Sequence, residues 1–158
     1  MATDTEILDS IAAAFAGCPR PEHFTDRVHC CECAEHDATL LSRDVETLDH
    51  DDVGSPGWDP VCFITPEGFA YYLPALARLA LAPEHPQWGW YGPQLFFHFA
   101  YDGAHNARWA RCTPDQRRAV AALLDHIFAT RSGLLQPFDE RSLFEALEVW
   151  SDPGDSVG

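Results

Sequence analysis

Three segments of the chain begin with the chemistry that starts an α-helix. TDTE at positions 3–6 fits a capping box, in which the threonine hydroxyl bonds the third helical amide and the glutamate reaches back. TPE at 65–67 and TPDQ at 113–116 combine a threonine cap with proline in the first turn and an acidic side chain favoured by the helix dipole. Three such starts in 158 residues predict a mainly α-helical protein.

Apolar residues recur at helical spacing after each of these starts. The first helix is predicted over about residues 4–16 and is expected to end at Gly17 in the left-handed conformation. The helix that starts at TPE should end before Pro83, and Pro74 inside it should kink it at a cost of ~3 kcal/mol unless a neighbour compensates. The helix that starts at TPDQ is expected to close at Gly133.

Another helix is predicted over about residues 139–150, and residues 151–158 are expected to form a flexible tail. With a further helix in the cysteine-rich stretch described below, the pattern predicts a compact single-domain bundle of about five helices over residues 1–150. Hydrophobic residues make up 46% of the chain, which is enough for a core of this size.

The segments between these helices carry weaker signals. Residues 83–93 are predicted to form a long loop rich in proline and aromatic side chains. DHDD at 49–52 is a charge run, which is expected to form a solvated surface. VCFI at 61–64 is expected to be a short buried segment, with an extended conformation as the first interpretation, but it is too short for the pattern to separate strand from helix. Residues 95–101 are expected to form a buried segment whose type the pattern also leaves open.

The charge balance excludes some partners and permits others. The formal net charge is -15, from 25 acidic and 10 basic residues, and nucleic-acid or anionic-membrane binding needs clustered Lys and Arg instead. No span approaches the roughly 20 apolar residues of a membrane helix. Asp4, Glu6 and Asp9 stand where a signal peptide carries positive charge, so a cytoplasmic location is expected. The composition permits a basic protein partner and leaves the oligomeric state open.

The most reactive stretch is HCCECAEHD at 29–37, which holds three of the six cysteines and two of the eight histidines. We predict that it begins a second helix running to about Arg43. On a helical wheel one arc of about 120° collects His29, Cys30, Cys33, His36 and Asp37. Leu40 and Leu41 extend the same arc, so the cluster is expected to face the core, with Cys31 turned away.

This stretch and two others resemble a bacterial protein family of unknown function. The shared motifs are HCxEC at 29–33, PEGFxYYxPA at 66–75 and the TPDQ helix start at 113–116. The resemblance spans most of the chain and implies a small bacterial domain. The family brings no established activity, so no catalytic residue is carried over from it.

Zinc binding is the first interpretation of the cluster. Thiolate and imidazole are the ligands that zinc prefers, and a spacing of three or four residues lets two side chains on one helical turn reach one ion. The candidate ligands are His29, Cys30, Cys33 and His36. One helix rarely supplies all four corners of a tetrahedron, so a fourth ligand is expected from elsewhere in the chain. The candidates are His23, Cys62, His98, His105 and Cys112. Such a site would be buried and structural rather than catalytic.

Thiol redox chemistry is the second interpretation, because a C-x-x-C pair near a helix start has a lowered thiol pKa. The pattern is similar to that of all-helical redox proteins of the alkylhydroperoxidase-D type. Those proteins place a histidine four residues after the second cysteine, whereas His36 follows Cys33 by three.

Two further interpretations involve no chemistry at the cluster. A small acidic domain with exposed aromatic residues suits a protein that binds a basic partner, as toxin-immunity proteins do. Alternatively, Cys30 and Cys33 are small core residues, because free cysteine is among the most buried residue types. The sequence contains no glycine-rich phosphate loop, no G-x-S-x-G and no H-E-x-x-H motif, so no established catalytic motif decides between these interpretations.

Overall fold

Helices account for nearly all regular structure in residues 1–152 and 154, which the computed structural model describes. The helices are α1 Asp4–Phe15, α2 Cys31–Leu41, α3 His50–Val53, α4 Pro66–Leu81, α5 Gly92–Ala100, α6 Ala107–Arg111, α7 Pro114–Arg131 and α8 Pro137–Trp150. No strand occurs in this part of the chain, where one isolated bridge joins His85 and Gly89 in the predicted aromatic loop. The mainly α prediction is confirmed. Of the predicted tail at 151–158, residues 153 and 155–158 lie outside the described residues.

The three predicted helix starts are confirmed, each with the expected threonine cap. Thr3, Thr65 and Thr113 accept hydrogen bonds from the third helical amide at 3.2, 3.1 and 3.2 Å respectively. Helices α1 and α7 also have the reciprocal side-chain bond of a capping box. These caps satisfy donors that a helix otherwise leaves without partners, which explains why they mark helix starts so reliably.

The predicted helix ends at Gly17 and Gly133 are wrong in conformation. Neither glycine has a positive φ angle, and the residues that do are Gly89, Asp102, Gly103 and Gly154. At the end of α1 the amide of Cys18 bonds the carbonyl of Phe15 at 3.1 Å. A tightened last turn of this kind satisfies the terminal carbonyls without a left-handed residue. Gly133 lies within a 3-10 turn, Ser132–Leu134, that continues from α7.

The predicted count of about five helices is too low. The charge run at 49–52 forms most of α3, in which Asp49 is the cap and His50 is buried, so this run is not simply a solvated surface. The segment 95–101 lies mostly in α5. Helices α3 and α6 have four and five residues, too short for apolar periodicity to reveal them.

The expected extended segment at 61–64 is also wrong. Pro60–Cys62 is a 3-10 helix that begins at Asp59, whose carboxylate accepts the amide of Val61 at 2.9 Å. Val61 and Ile64 are buried, whereas Cys62 and Phe63 are exposed. Proline and an aspartate cap favour a turn of helix over an extended strand.

The core is built around α4, which is buried on nearly every side and continues through Pro74. Helix α1 packs against α4 and α7, and α5 packs against α8. Trp150, the last residue of α8, is buried against Phe99, with ring centroids 5.2 Å apart. In the described part of the chain, no helix combines the length and the hydropathy that crossing a bilayer requires.

Candidate functional site

Cys30 is the residue that starts α2. Its backbone is extended, with φ -163° and ψ 172°, and its sulfur accepts the amide of Cys33 at 3.4 Å. The side chain therefore takes the position that serine or aspartate usually occupies at a helix N-cap. The predicted helix is confirmed over most of its length, but it starts at Cys31 and ends at Leu41, two residues short of Arg43.

This cap changes which members of the cluster are buried. Cys33, His36, Asp37 and Leu40 face the core as predicted. His29 and Cys30 precede the first helical turn and are exposed, so the prediction that the whole cluster faces inward is wrong. Leu41 is 37% exposed, which contradicts its predicted place on the buried arc. Cys31 is exposed, as expected for a residue on the opposite face.

A network around Asp37 holds the loop that leads into α2. Its carboxylate accepts the amide of Phe24 at 2.6 Å and the amide of Thr25 at 3.3 Å, and it lies 2.8 Å from His23 Nδ1. The hydroxyl of Thr25 donates to the carbonyl of Cys33 at 2.6 Å. Burial acts to raise the pKa of Asp37, but the bonds from Phe24 and His23 outweigh it and the pKa is lowered.

Three side chains of the cluster converge at the start of α2. Cys33 Sγ lies 3.4 Å from Cys30 Sγ and 3.6 Å from His29 Nδ1. The ligand atoms of these three residues all lie within 4.8 Å of one another. Around a tetrahedral zinc ion with bonds of roughly 2.0 to 2.3 Å, neighbouring ligand atoms are roughly 3.3 to 3.8 Å apart. Within that interval, two sulfur ligands are roughly 3.8 Å apart and a sulfur and a nitrogen ligand roughly 3.6 Å apart. The Cys33–His29 separation matches, and the two sulfurs would move about 0.4 Å apart on binding.

The two thiols of this group differ in acidity. The amide of Cys33, then the His29 ring, lower the pKa of the Cys30 thiol to about 7. The pKa of Cys33 is raised, first by the adjacent Cys30 sulfur and then by desolvation. The same Cys30 sulfur raises the pKa of His29. Cys30 is therefore the more acidic and more accessible thiol of the pair.

His36, the fourth predicted ligand, does not join this group. Its ring is fully buried, with a centroid 4.6 Å from that of Trp58 and 5.1 Å from that of Phe63. Its Nε2 lies 3.4 Å from Glu32 Oε1. One helical turn beyond Cys33, the ring packs α2 against the segment around Phe63.

The candidate fourth ligands also lie outside the group formed by His29, Cys30 and Cys33. His23 is hydrogen-bonded to Asp37, and His105 is exposed on a 3-10 turn, Gly103–His105. Cys112 is buried, and this burial raises the pKa of its thiol to about 12. Cys62 and His98 belong to a second group of possible ligands. The first group therefore consists of His29, Cys30 and Cys33 within the described residues.

The second group contains Asp59, Cys62 and His98, whose ligand atoms also lie within 4.8 Å of one another. The buried Asp59 and His98 are joined by an Oδ2–Nε2 contact of 2.7 Å. The sequence pattern does not identify Asp59 as a member of this group. The D-x-x-C spacing of residues 59–62 is the one local signal, and nothing near it in the sequence connects it to His98.

The fold and these groups define a class: over the described residues, an all-α protein with two groups of Cys, His or Asp side chains that could hold a metal ion. Residues 3–133 match a family of unknown function, DUF6714, and the chain belongs to this family. The resemblance to a family without an established activity is thereby confirmed. No curated protein and no solved structure matches the chain.

Proposed function

We propose that the protein binds one zinc ion through His29, Cys30 and Cys33. The observation that carries the proposal is the spacing of the ligand atoms: 3.4 Å between the two sulfurs and 3.6 Å from Cys33 Sγ to His29 Nδ1. The sulfur-to-nitrogen separation is the one expected of two corners of a zinc tetrahedron, and the two sulfurs are about 0.4 Å closer together than two zinc-bound thiolates. Two sulfur donors and one nitrogen donor also match the preference of zinc.

Metal binding by this group should depend on pH, because protons compete with zinc at Cys30, at Cys33 and at the His29 ring, whose pKa is raised. A thiol must lose its proton before it binds a metal, and the pKa of Cys30 is already lowered to about 7. The raised pKa of Cys33 means that zinc would displace its proton on binding. Binding is therefore expected to weaken as the pH falls below about 7, because protons compete for Cys30.

Three protein ligands leave one position of a tetrahedral ion for water or for an incoming group. This differs from the buried structural site predicted from the sequence, since His29 and Cys30 are exposed. A zinc ion with three protein ligands and an open position is the arrangement of catalytic sites, in which the metal activates water or polarises a carbonyl. The proposed site is accordingly a surface zinc centre with an exchangeable fourth ligand.

The test uses metal analysis of protein that is purified without a metal-affinity tag and then incubated with zinc and dialysed. We expect the wild type to retain about one zinc per chain more than the Cys33→Ser variant. Cys31→Ser is the matched control, because Cys31 is exposed and adjacent but lies outside the group. A difference of less than about 0.2 zinc per chain between the wild type and Cys33→Ser, or equal loss in both variants, would contradict the proposal.

A second candidate function is thiol–disulfide exchange, and the unequal thiols favour it. Cys30 has the lower pKa and is exposed, while Cys33 is buried 3.4 Å behind it. The Cys30 thiolate would attack a partner disulfide, form a mixed disulfide and expel one partner thiolate. Cys33, after losing its proton, would attack Cys30 Sγ and expel the second thiolate. The partner gains two electrons and the chain gains a disulfide.

Trapping distinguishes this candidate from simple metal binding. Metal-free Cys33→Ser protein treated with oxidised glutathione should accumulate a mixed disulfide at Cys30, whereas the wild type should form the Cys30–Cys33 disulfide. Mass spectrometry of the proteolytic peptides reads both products. If glutathione attaches to Cys31 as fast as to Cys30, the exchange function is excluded, because the lowered pKa of Cys30 would then have no kinetic effect.

A further inference from the structure

The second group of possible ligands lies where the 3-10 helix Pro60–Cys62 meets α5. Asp59 caps that 3-10 helix, Cys62 ends it, and His98 is on the buried face of α5. Their ligand atoms lie within 4.8 Å of one another although 39 residues separate Asp59 from His98. The side chains of His98 and Asp59 are only 1% and 2% exposed, and Cys62 is open to solvent.

Two polar atoms near this group have unmet hydrogen-bonding capacity. His98 Nδ1 and the hydroxyl of Tyr91 are buried, and no hydrogen-bond partner for either is found among the described residues. The Asp59 carboxylate acts on the pKa of Tyr91, which burial raises well above its usual value, so both belong to one polar region. Buried polar atoms in native proteins almost always have a partner, whether protein, water or ion.

Arg108 joins the two elements that carry this group, the 3-10 helix Pro60–Cys62 and α5. Its guanidinium donates to the carbonyl of Val61 at 2.7 Å and to the carbonyl of His98 at 3.2 Å. Gln94 adds a bond from its side-chain amide to Asp59 Oδ2 at 3.1 Å. The positions of Asp59 and His98 are thus supported from several sides, as the ligands of a metal site must be.

We propose that Asp59, Cys62 and His98 form a second metal site, which takes a first-row divalent cation such as Zn²⁺ or Co²⁺. A thiolate, an imidazole and a carboxylate together suit these ions and disfavour Mg²⁺ and Ca²⁺, which prefer oxygen ligands alone. The cation would reach the site from the side of Cys62, since Cys62 is the exposed member of the group. The site is separate from the one proposed at His29, Cys30 and Cys33 and does not depend on it.

The pattern of bonds shows how the site would change on binding. His98 Nε2 and Asp59 Oδ2 share one hydrogen bond of 2.7 Å, which a bound cation would replace. A cation must also displace the proton of the Cys62 thiol, because the thiolate is the form that binds a metal. Binding should therefore release at least one proton and strengthen with rising pH.

Titration of metal-free protein with Co²⁺ tests this second site, because a thiolate ligand gives a sulfur-to-cobalt charge-transfer band in the near ultraviolet. The key variant lacks the first site through Cys30→Ser and Cys33→Ser together. We expect it to bind one Co²⁺ per chain with that band, and we expect the band to disappear when Cys62→Ser is added. Cys31→Ser in place of Cys62→Ser is the matched control and should leave the band unchanged.

The outcomes separate the two sites. If the Cys30→Ser, Cys33→Ser variant binds no Co²⁺ while the wild type binds one, the second site is overturned and the first is supported. If that variant keeps one Co²⁺ and Cys62→Ser alone binds none, the first site is overturned and the second is supported. Circular dichroism checks that each variant is folded, and Asp59→Asn should also weaken the Cys62-dependent band. Binding unaffected by both Cys62→Ser and Asp59→Asn overturns the second site.

Discussion

A single sulfur atom both starts a helix and forms part of the proposed zinc site. Cys30 Sγ accepts the Cys33 amide, and that same bond is the largest cause of its lowered pKa. The N-terminus of a helix favours a negative charge, so capping and thiolate formation reinforce each other. Serine at this position would preserve the cap and remove the thiolate, which separates the two roles.

The reactivity of Cys30 should show this lowered pKa directly. In metal-free protein, alkylation of Cys30 by iodoacetamide should have a half-maximal rate near pH about 7. His29→Ala should move the Cys30 midpoint upward, because the His29 ring is the second cause of the lowered pKa. Peptide mass spectrometry after timed labelling measures the rate at Cys30 in both proteins. A Cys30 midpoint that His29→Ala leaves unchanged would refute this expectation.

The lowered pKa of Cys30 also determines how folding stability changes with pH. The pKa of Cys30 is lower in the folded chain than its usual value of 9.0, so folding is favoured where the thiolate exists. That contribution is fully present above about pH 9 and is lost as the pH falls through about 7. At the residue scale, therefore, the start of α2 is more stable in mildly alkaline than in mildly acidic solution.

At the scale of elements, α4 holds the far end of α2. The hydroxyl of Tyr72, buried in α4, lies 2.5 Å from the carbonyl of Leu40 and 2.8 Å from that of Arg43. The Leu40 carbonyl also accepts the Arg43 amide at 3.4 Å, so Tyr72 adds a shorter hydrogen bond to a carbonyl at the end of the helix. The Arg43 carbonyl also accepts Arg20 Nη1 at 2.8 Å, so Tyr72 and Arg20 together hold the chain at the end of α2.

Removing that hydroxyl should destabilise the protein. Tyr72→Phe is expected to lower the free energy of unfolding by about 1 kcal/mol, since it removes the shorter hydrogen bond to the carbonyl of the buried Leu40. Tyr71→Phe is the matched control: its hydroxyl accepts one exposed bond from Arg20, and its loss should change stability by less than about 0.5 kcal/mol. Urea unfolding at neutral pH measures both. Equal effects of the two substitutions would show that α2 does not depend on Tyr72.

The accuracy of the helix predictions depended on the length of each element. Helices α1, α4 and α7 have 12, 16 and 18 residues, so their caps and apolar periods could be recognised. Helix α5 was predicted only as a buried segment, because the nearly continuous apolar run around Phe96 fits either a strand or a helix. Helices α3 and α6 are too short for any period.

At the scale of the whole molecule, Asp4 joins the two ends of the family-matched region. Its carboxylate lies 2.7 Å from His126 Nε2 and 2.8 Å from Arg131 Nη2, more than 120 residues away along the chain. The hydrogen bond from Arg131, then that from His126, lower the pKa of Asp4 to about 2. The first turn of α1 is thereby fastened to the last turn of α7.

Breaking this clamp should have a pH-dependent effect. Asp4→Asn is expected to lower the free energy of unfolding at pH 7 by about 1 kcal/mol or less, because a carboxylate that is half exposed is screened by solvent. The contribution is present above the usual pKa of 3.8 and is lost as the pH falls toward about 2, so the difference from wild type should narrow over that interval. Chemical unfolding across this pH range, with exposed Asp9→Asn as control, measures it. If the difference in unfolding free energy between wild type and Asp4→Asn does not change with pH, the lowered pKa of Asp4 does not contribute to stability.

The net charge of -15 also supports a prediction at this scale. A basic protein partner remains our expectation, and its attraction should be strongest at low ionic strength. Binding to immobilised lysozyme, a basic protein, serves as the control, because it measures only the non-specific attraction between opposite net charges. A specific basic partner should instead keep measurable affinity at about 0.15 M salt, where the screening length is about 8 Å. If every capture disappears at that ionic strength, the charge serves solubility rather than recognition.

The sequence by itself determined the features that depend on near neighbours: the three capped helix starts, the mainly helical fold, and the burial of Cys33, His36 and Asp37. Caps and helical turns join residues three or four positions apart, so their chemistry can be recognised locally. Only the tertiary structure decided that His36 packs against Phe63 instead of joining His29, and that Cys62 and His98 meet Asp59. Those contacts depend on how elements that are distant in the sequence pack together, and local sequence patterns do not specify that packing.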